Sequence, residues 1–276
     1  MFLVTGGTGN VGREVAAALA AAGEPVRALT RGGAPADAPD GVEYVTGDLN
    51  EPKTLVPALR GVRGLFLLPG YDGTADLLAE AGRAGVEHVV LLSGSSVESG
   101  DTTNAVSRYM IESEAAVRDS GLAWTFVRPN GFMSNTFEWI PQLKAGDVVR
   151  APFADVPIAV IDPADIGAVA ATALLQDEYR GQVLRVTGPE PLRPADRLRI
   201  LGGVLGRDLR LDALPDDEAR EEMLQNMPEK YVDAFFDFYV AGSLDESVVT
   251  TTVRDVTGRP PRTFEQWAAA HAASFA

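Results

Sequence analysis

The chain opens with the apolar run Phe2-Leu3-Val4 and passes directly into Thr5-Gly6-Gly7-Thr8-Gly9-Asn10-Val11-Gly12. Residues 13–20, Arg-Glu-Val-Ala-Ala-Ala-Leu-Ala, then form helix readily. A buried strand, a glycine turn and a helix start follow one another without a spare residue. Gly7, Gly9 and Gly12 fit G-x-G-x-x-G, and Gly6, Gly9 and Gly12 fit the related G-x-x-G-x-x-G. The first glycines allow a tight turn. Gly9 lets backbone approach a pyrophosphate, and Gly12 lets the helix pack close to the strand. The exposed N–H groups of Thr8, Gly9, Asn10 and Val11 would then meet phosphate at the positive end of the helix. The alternative is a βα turn that binds nothing.

Beyond this turn, the first half alternates short apolar runs with helical stretches. Strands are expected at 2–4, 26–29, 43–45, 64–68, 88–92 and 124–127, and helices at 12–22 and 73–84. Gly23, Gly85 and Gly121 stand where helices should end. This alternation predicts an α/β fold, a Rossmann-type doubly wound parallel sheet, with ligands bound beyond the carboxyl ends of the strands. The second half is less regular. A strand is expected at 156–161, a helix capped by Asp162 running to Leu175, and a late strand at 183–186. Residues 215–242 carry Met223, Met227, Tyr231, Phe235, Phe236, Phe238 and Tyr239 at a spacing that suits one or two amphipathic helices. They form either packed core or a lid. The organisation expected is one domain over 1–276, with a core over 1–130 and a smaller C-terminal substrate-binding region over 131–276.

Composition removes several classes of function. With no cysteine, disulfides, thiolate nucleophiles and Cys-ligated metals are excluded, and a cytoplasmic setting is expected. The two histidines, His88 and His271, are too few and too far apart for a metal site. A net charge of −15 repels nucleic acid. No apolar run is long enough to span a bilayer, and the N-terminus lacks the basic start of a signal peptide.

The ends of the strands supply the candidate site. After the second strand comes Thr30-Arg31, where a site selective for NAD places an acid; none follows until Asp37. Arg31 suits a 2′-phosphate, so NADPH is the expected cofactor. Asp48 and Leu49 follow the third strand, placed to face adenine; helix capping is the other role open to Asp48. Leu68 and Pro69 end the fourth strand, Ser93 and Gly94 the fifth, and Pro129, Asn130 and Gly131 the sixth. All are candidate cofactor contacts. Ser95 is the candidate catalytic residue, and Ser96, Met110, Phe132, Met133 and Phe153 are candidate substrate contacts.

These residues resemble the short-chain dehydrogenase/reductase superfamily, in its atypical NmrA-like branch. Further marks are Ser120-Gly121-Leu122 with 124–129, Asp162-Pro163-Ala164-Asp165-Ile166, 186–190 and 263–267. The resemblance implies a nicotinamide-dependent reductase of a flat aromatic substrate, such as an aromatic polyketide ketone of the angucyclinone type or a quinone. The branch also contains non-catalytic redox sensors. One departure matters. Superfamily enzymes use a Ser with a Tyr and a Lys four residues apart, and Ser95 matches the Ser. Counting back from Gly121, the Tyr and Lys positions hold Met110 and Glu114, and no Lys lies between Lys53 and Lys144. Tyr109 is turned about 100° away along the helix. Both Tyr109 and Glu114 are expected to be solvated helix residues. The proton for a reduced carbonyl must come from Ser95 or Ser96 with water, from bulk water, or from a hydroxyl on the substrate.

Replacing Arg31 with Ala is expected to weaken NADPH binding by about 1–3 kcal/mol, the range of a charged hydrogen bond, and to leave NADH binding nearly unchanged. Paired fluorescence titrations measure this. Equal losses for the two cofactors would remove Arg31 from the 2′-phosphate.

Overall fold

The computed structural model describes residues 1–36 and 38–275; Asp37 lies outside them. Seven strands form one sheet in the order β3-β2-β1-β4-β5-β6-β8, and every pairing is parallel. They are β1 (Phe2–Val4), β2 (Val26–Thr30), β3 (Val42–Thr46), β4 (Gly64–Leu67), β5 (His88–Leu92), β6 (Ala123–Pro129) and β8 (Gln182–Val186). The order reverses between β1 and β4, which opens a crevice at the carboxyl ends of these two strands. A separate parallel pair joins β7 (Val148–Ala151) to β9 (Arg210–Ala213).

The helices are α1 (Asn10–Ala21), α2 (Thr74–Arg83), α3 (Ala105–Asp119), α4 (Ile140–Ala145), α5 (Pro163–Leu175), α6 (Pro194–Leu205), α7 (Asp216–Asn226), α8 (Glu229–Tyr239), α9 (Thr252–Thr257) and α10 (Phe264–Ala270). None is long and apolar enough to cross a membrane among the described residues. β4 and β5 are buried along their whole length, as strands covered on both faces must be. One face packs on α1 and α5 through Val15, Leu19, Ile166 and Val169. A Cβ on Gly167 would come within 2.6 Å of the Glu14 Cβ, so α1 and α5 approach too closely for a larger residue. The other face packs on α2 and α3 through Leu77, Leu78 and Val117. A third core, with Trp139, Leu143, Leu201, Phe264 and Trp267, holds the C-terminal elements together.

The strand expected at 156–161 does not form. Only isolated bridges occur there, Ile158 to Leu192 and Ile161 to Phe132. The apolar residues pack as an irregular segment, with Ala159 N–H donating to the Glu246 carbonyl. Asp162 does cap α5, accepting from Ala164 N–H. Residues 215–242 form the two helices α7 and α8. α8 is tied to the N-terminus of α3 by Asn104, whose amide donates to the Ala234 carbonyl and to Asp237.

Candidate active site

The glycine turn leaves β1 and begins α1 with no side-chain cap at Gly9. Its glycines have different roles. Gly6 adopts φ +64°, which favours glycine. A Cβ on Gly7 would meet the Ala28 Cβ at 2.6 Å, and one on Gly12 would collide with the Gly6 carbonyl. These two glycines let the turn pack onto β2 and onto itself. A Cβ on Gly9 meets only the Gly6 carbonyl, at 3.3 Å, and Thr8, Gly9 and Asn10 are exposed. The surface there is bare backbone at a helix N-terminus, which fits a pyrophosphate. Asn10 also donates to the buried Ser134 hydroxyl, tying the turn to the C-terminal region.

Along the crevice, Arg31 is exposed and makes no side-chain bond to a described residue. Asp48 accepts from Asn50 N–H and closes a local turn. The Leu49 side chain is 6% exposed and packs in the core with Leu29 and Leu55. Thr5 accepts from Leu68 N–H, which fixes the start of the Leu68-Pro69-Gly70 segment.

Each hydroxyl of the serine cluster after β5 has a distinct environment. Ser93 donates to Glu114 at 2.7 Å. Ser96 is buried, and its carbonyl accepts from Ser99 and Ser107. Ser95 donates to Glu246 at 3.1 Å, across 151 residues of chain. Glu246 is itself buried and is a meeting point. Its Oε1 also accepts from Gly131 N–H at 2.9 Å, and its Oε2 accepts from the Tyr239 hydroxyl at 2.8 Å. Its carbonyl accepts from Asn130 at 2.8 Å. Burial pushes the Glu246 carboxyl up, against the pull of the Tyr239, Ser95 and Gly131 hydrogen bonds and of Arg185. Burial, with Glu246 alongside, pushes the Tyr239 phenol far above the usual tyrosine range.

Glu114 is not a solvated helix residue. Its side chain is fully buried and receives two bonds from Arg128, at 2.8 and 2.7 Å, and one from Arg118 at 3.1 Å. Met110 is half-buried beside Gly94. Positions 110 and 114, where the sequence reading puts the superfamily Tyr and Lys, hold an apolar contact and a buried ion pair. Tyr109 is half-buried too, resting against Gly70 and lining a cavity of about 580 Å³ with Tyr71, Tyr231 and Phe235.

A larger cavity of about 790 Å³ lies beyond the end of β6. Gly131, Phe132, Phe153, Trp139 and Tyr239 contribute to its wall, and α7 and α8 cover it through Met223, Met227 and Phe235. Met227 and Phe235 line both cavities. Phe153 is the one non-glycine residue with positive φ, +54°, among the described residues. That backbone is held where its ring meets Phe236 and Tyr239, with centroids 5.4 and 5.1 Å away. Met133 lies off this wall, 1% exposed in the C-terminal core. No cluster of potential metal ligands occurs among the described residues. Glu246 gave no sequence signal, because it sits in an irregular polar segment far from Ser95. Tyr239 belonged to the visible aromatic stripe, but nothing distinguished it from its neighbours.

Fold, bare glycine turn and covered cavity together define a dinucleotide-binding oxidoreductase scaffold. Comparison with known proteins agrees. The NmrA-like family pattern matches residues 1–267, and the chain belongs to that family. A (4-alkanoyl-5-oxo-2,5-dihydrofuran-3-yl)methyl phosphate reductase of Streptomyces griseus is 42% identical, over 100% of this chain and 99% of that protein. An NAD(P)H azoreductase of Xenophilus azovorans is 37% identical, with the same coverage. An NADPH-dependent quinone oxidoreductase of Escherichia coli shares the fold with a TM-score of 0.78 at 21% identity, covering 98% of this chain and 99% of its own. The chain is an NAD(P)H-dependent oxidoreductase.

Replacing Glu114 with Ala removes the carboxylate shared by Arg128, Arg118 and Ser93 and leaves Arg128 without its counterion. A loss of about 3–5 kcal/mol is expected, read as a lower urea midpoint. A loss under about 1 kcal/mol would mean that the ion pair does not hold α3 to β6.

Proposed function

We propose that the chain reduces a flat conjugated carbonyl compound with NADPH, and that the proton comes from Glu246. The observation that carries this reading is the link from Ser95 through Glu246 to Tyr239, which ends in the wall of the larger cavity. Gly6 and Thr8 to Val11 would hold the pyrophosphate and Arg31 the 2′-phosphate. Asp48 would face the adenine. Pro69, Gly94 and Asn130 border the path towards the far end of the crevice. The bound nicotinamide supplies the hydride.

The residues of the chain do the rest. Phe132, Phe153 and Trp139 offer apolar faces to a planar ligand, and α7 and α8 exclude water. The two relatives act on conjugated acceptors of quite different shape, a dihydrofuranone and azo compounds. A conjugated carbonyl suits the furanone relative and this wall; an aromatic polyketide ketone or a quinone falls within it. Tyr239 does not act by ionising, since its phenol is held far above neutral pH. When Glu246 is protonated, the bond between its Oε2 and Tyr239 reverses. The phenol proton is then free to pass to the substrate oxygen as the carboxyl proton passes to the phenol. Glu246 ends as the carboxylate and regains its proton from solvent. Ser95 and Gly131 N–H hold the other carboxyl oxygen throughout.

The protonated form of Glu246 is the active one. Turnover should therefore be constant at low pH and fall as pH rises through the elevated Glu246 pKa. Glu246→Gln and Tyr239→Phe should each lower kcat on the order of 10²–10⁴-fold, the general-acid share, and Glu246→Gln should also flatten the pH profile. NADPH affinity should hold in both. A Glu246→Gln enzyme with wild-type rate and pH profile would return the proton to water or to a hydroxyl on the substrate.

A further inference from the structure

The larger cavity contains a cation with no ion-pair partner among the described residues. Arg197, on α6, contributes to its wall, and its guanidinium carbon lies 5.2 Å from the centroid of the Trp139 ring. Its buried Nε has no hydrogen-bond partner, and no carboxylate lies within ion-pair distance of the guanidinium among the described residues. Burial lowers its pKa only to about 10, so the group stays cationic at neutral pH. The other arginine of the wall, Arg150, differs completely: Asp212, Glu218 and Glu222 all pair with it. A buried guanidinium nitrogen without a partner is costly, and polar groups of this kind are normally satisfied by something.

We infer that Arg197 receives an anionic arm of the substrate, a phosphate monoester. The assignment rests on the reading of this cavity as the substrate site. A guanidinium presents parallel N–H donors that match phosphate oxygens, and the Trp139 face holds its plane in place. Burial of the group strengthens the pairing. Two other groups face Arg197. Tyr239 is neutral. Glu138 lines the same wall, and burial pushes its carboxyl up while Arg197 pulls it down. Glu138 is therefore the competitor for Arg197: ionised, it would repel the phosphate. A substrate so held is a conjugated carbonyl at one end and a phosphate at the other, with the Tyr239 hydroxyl beside its reducible part.

The test uses the full chain with its cofactor cleft saturated by NADP⁺, so that a phosphate cannot bind at the glycine turn. Phenyl phosphate is titrated calorimetrically into wild type, Arg197→Met, Arg197→Lys and Glu138→Gln. Arg197→Met should weaken binding on the order of 10- to 100-fold, the range of a charge-assisted bond. Arg197→Lys should recover part of it, and Glu138→Gln should bind at least as tightly as wild type. In turnover, an acyl dihydrofuranone carrying a methyl phosphate is compared with its dephosphorylated alcohol. The kcat/KM ratio of phosphate to alcohol should fall by a similar factor in Arg197→Met. Unchanged phenyl phosphate affinity in Arg197→Met overturns the inference. So does a matched fall in melting temperature for Glu138→Gln and Arg197→Met with no change in phosphate affinity, which would make Glu138 the counterion. The binding arm needs no turnover. Arg197-dependent binding without reduction of either furanone would keep the anion site and reject the proposed reaction.

Discussion

The carboxyl group of Glu246 is the contact on which the arrangement of the site depends. It binds the serine that follows β5, the backbone at the end of β6 and the last residue of α8. Its own backbone carbonyl accepts from Asn130 and from Ala159. A buried acid with three donors is satisfied as a carboxylate, while burial favours the neutral acid. The two tendencies oppose each other within one group, and burial prevails, raising its affinity for a proton. The same contact fixes the distance between the parallel sheet and the helices that cover the cavity.

The superfamily site places its Tyr and Lys on the helix after the serine strand. Here that helix has a different role. Glu114 anchors α3 to β6 through Arg128 and restrains Ser93, and Met110 packs beside Gly94. An anionic Glu114 could not stabilise a phenolate, so a Tyr at position 110 would gain nothing from it. The Tyr239 hydroxyl, at the end of α8, belongs to the cavity wall.

What could be read in the sequence follows the range of the interactions. The glycine turn, the alternation of strands and helices, and the Asp162 cap depend on neighbours within a few residues, and these were legible. The Val156–Ile161 run read as a strand because its residues are apolar, but no continuous partner strand lies beside it. The pair β7 and β9 was invisible, since each has only four residues and β9 buries none of them. Glu114 read as solvated because helical spacing does not reveal that Arg128 returns beneath it. Glu246 and Arg197 were out of reach for the same reason. Their meaning lies in contacts made across the fold, or in the lack of them.

The central claim is that this cavity is where a conjugated carbonyl accepts hydride. The most direct measurement is isotope transfer from NADPH deuterated at the nicotinamide C4. Hydroxylated polycyclic ketones and acyl dihydrofuranones serve as acceptors, and the products are examined by mass spectrometry. The account predicts one deuterium on carbon in the product, with none incorporated from deuterated solvent at that position. NADPH that binds tightly yet is oxidised by no acceptor in the series, or product that carries only solvent hydrogen at the reduced carbon, would contradict it.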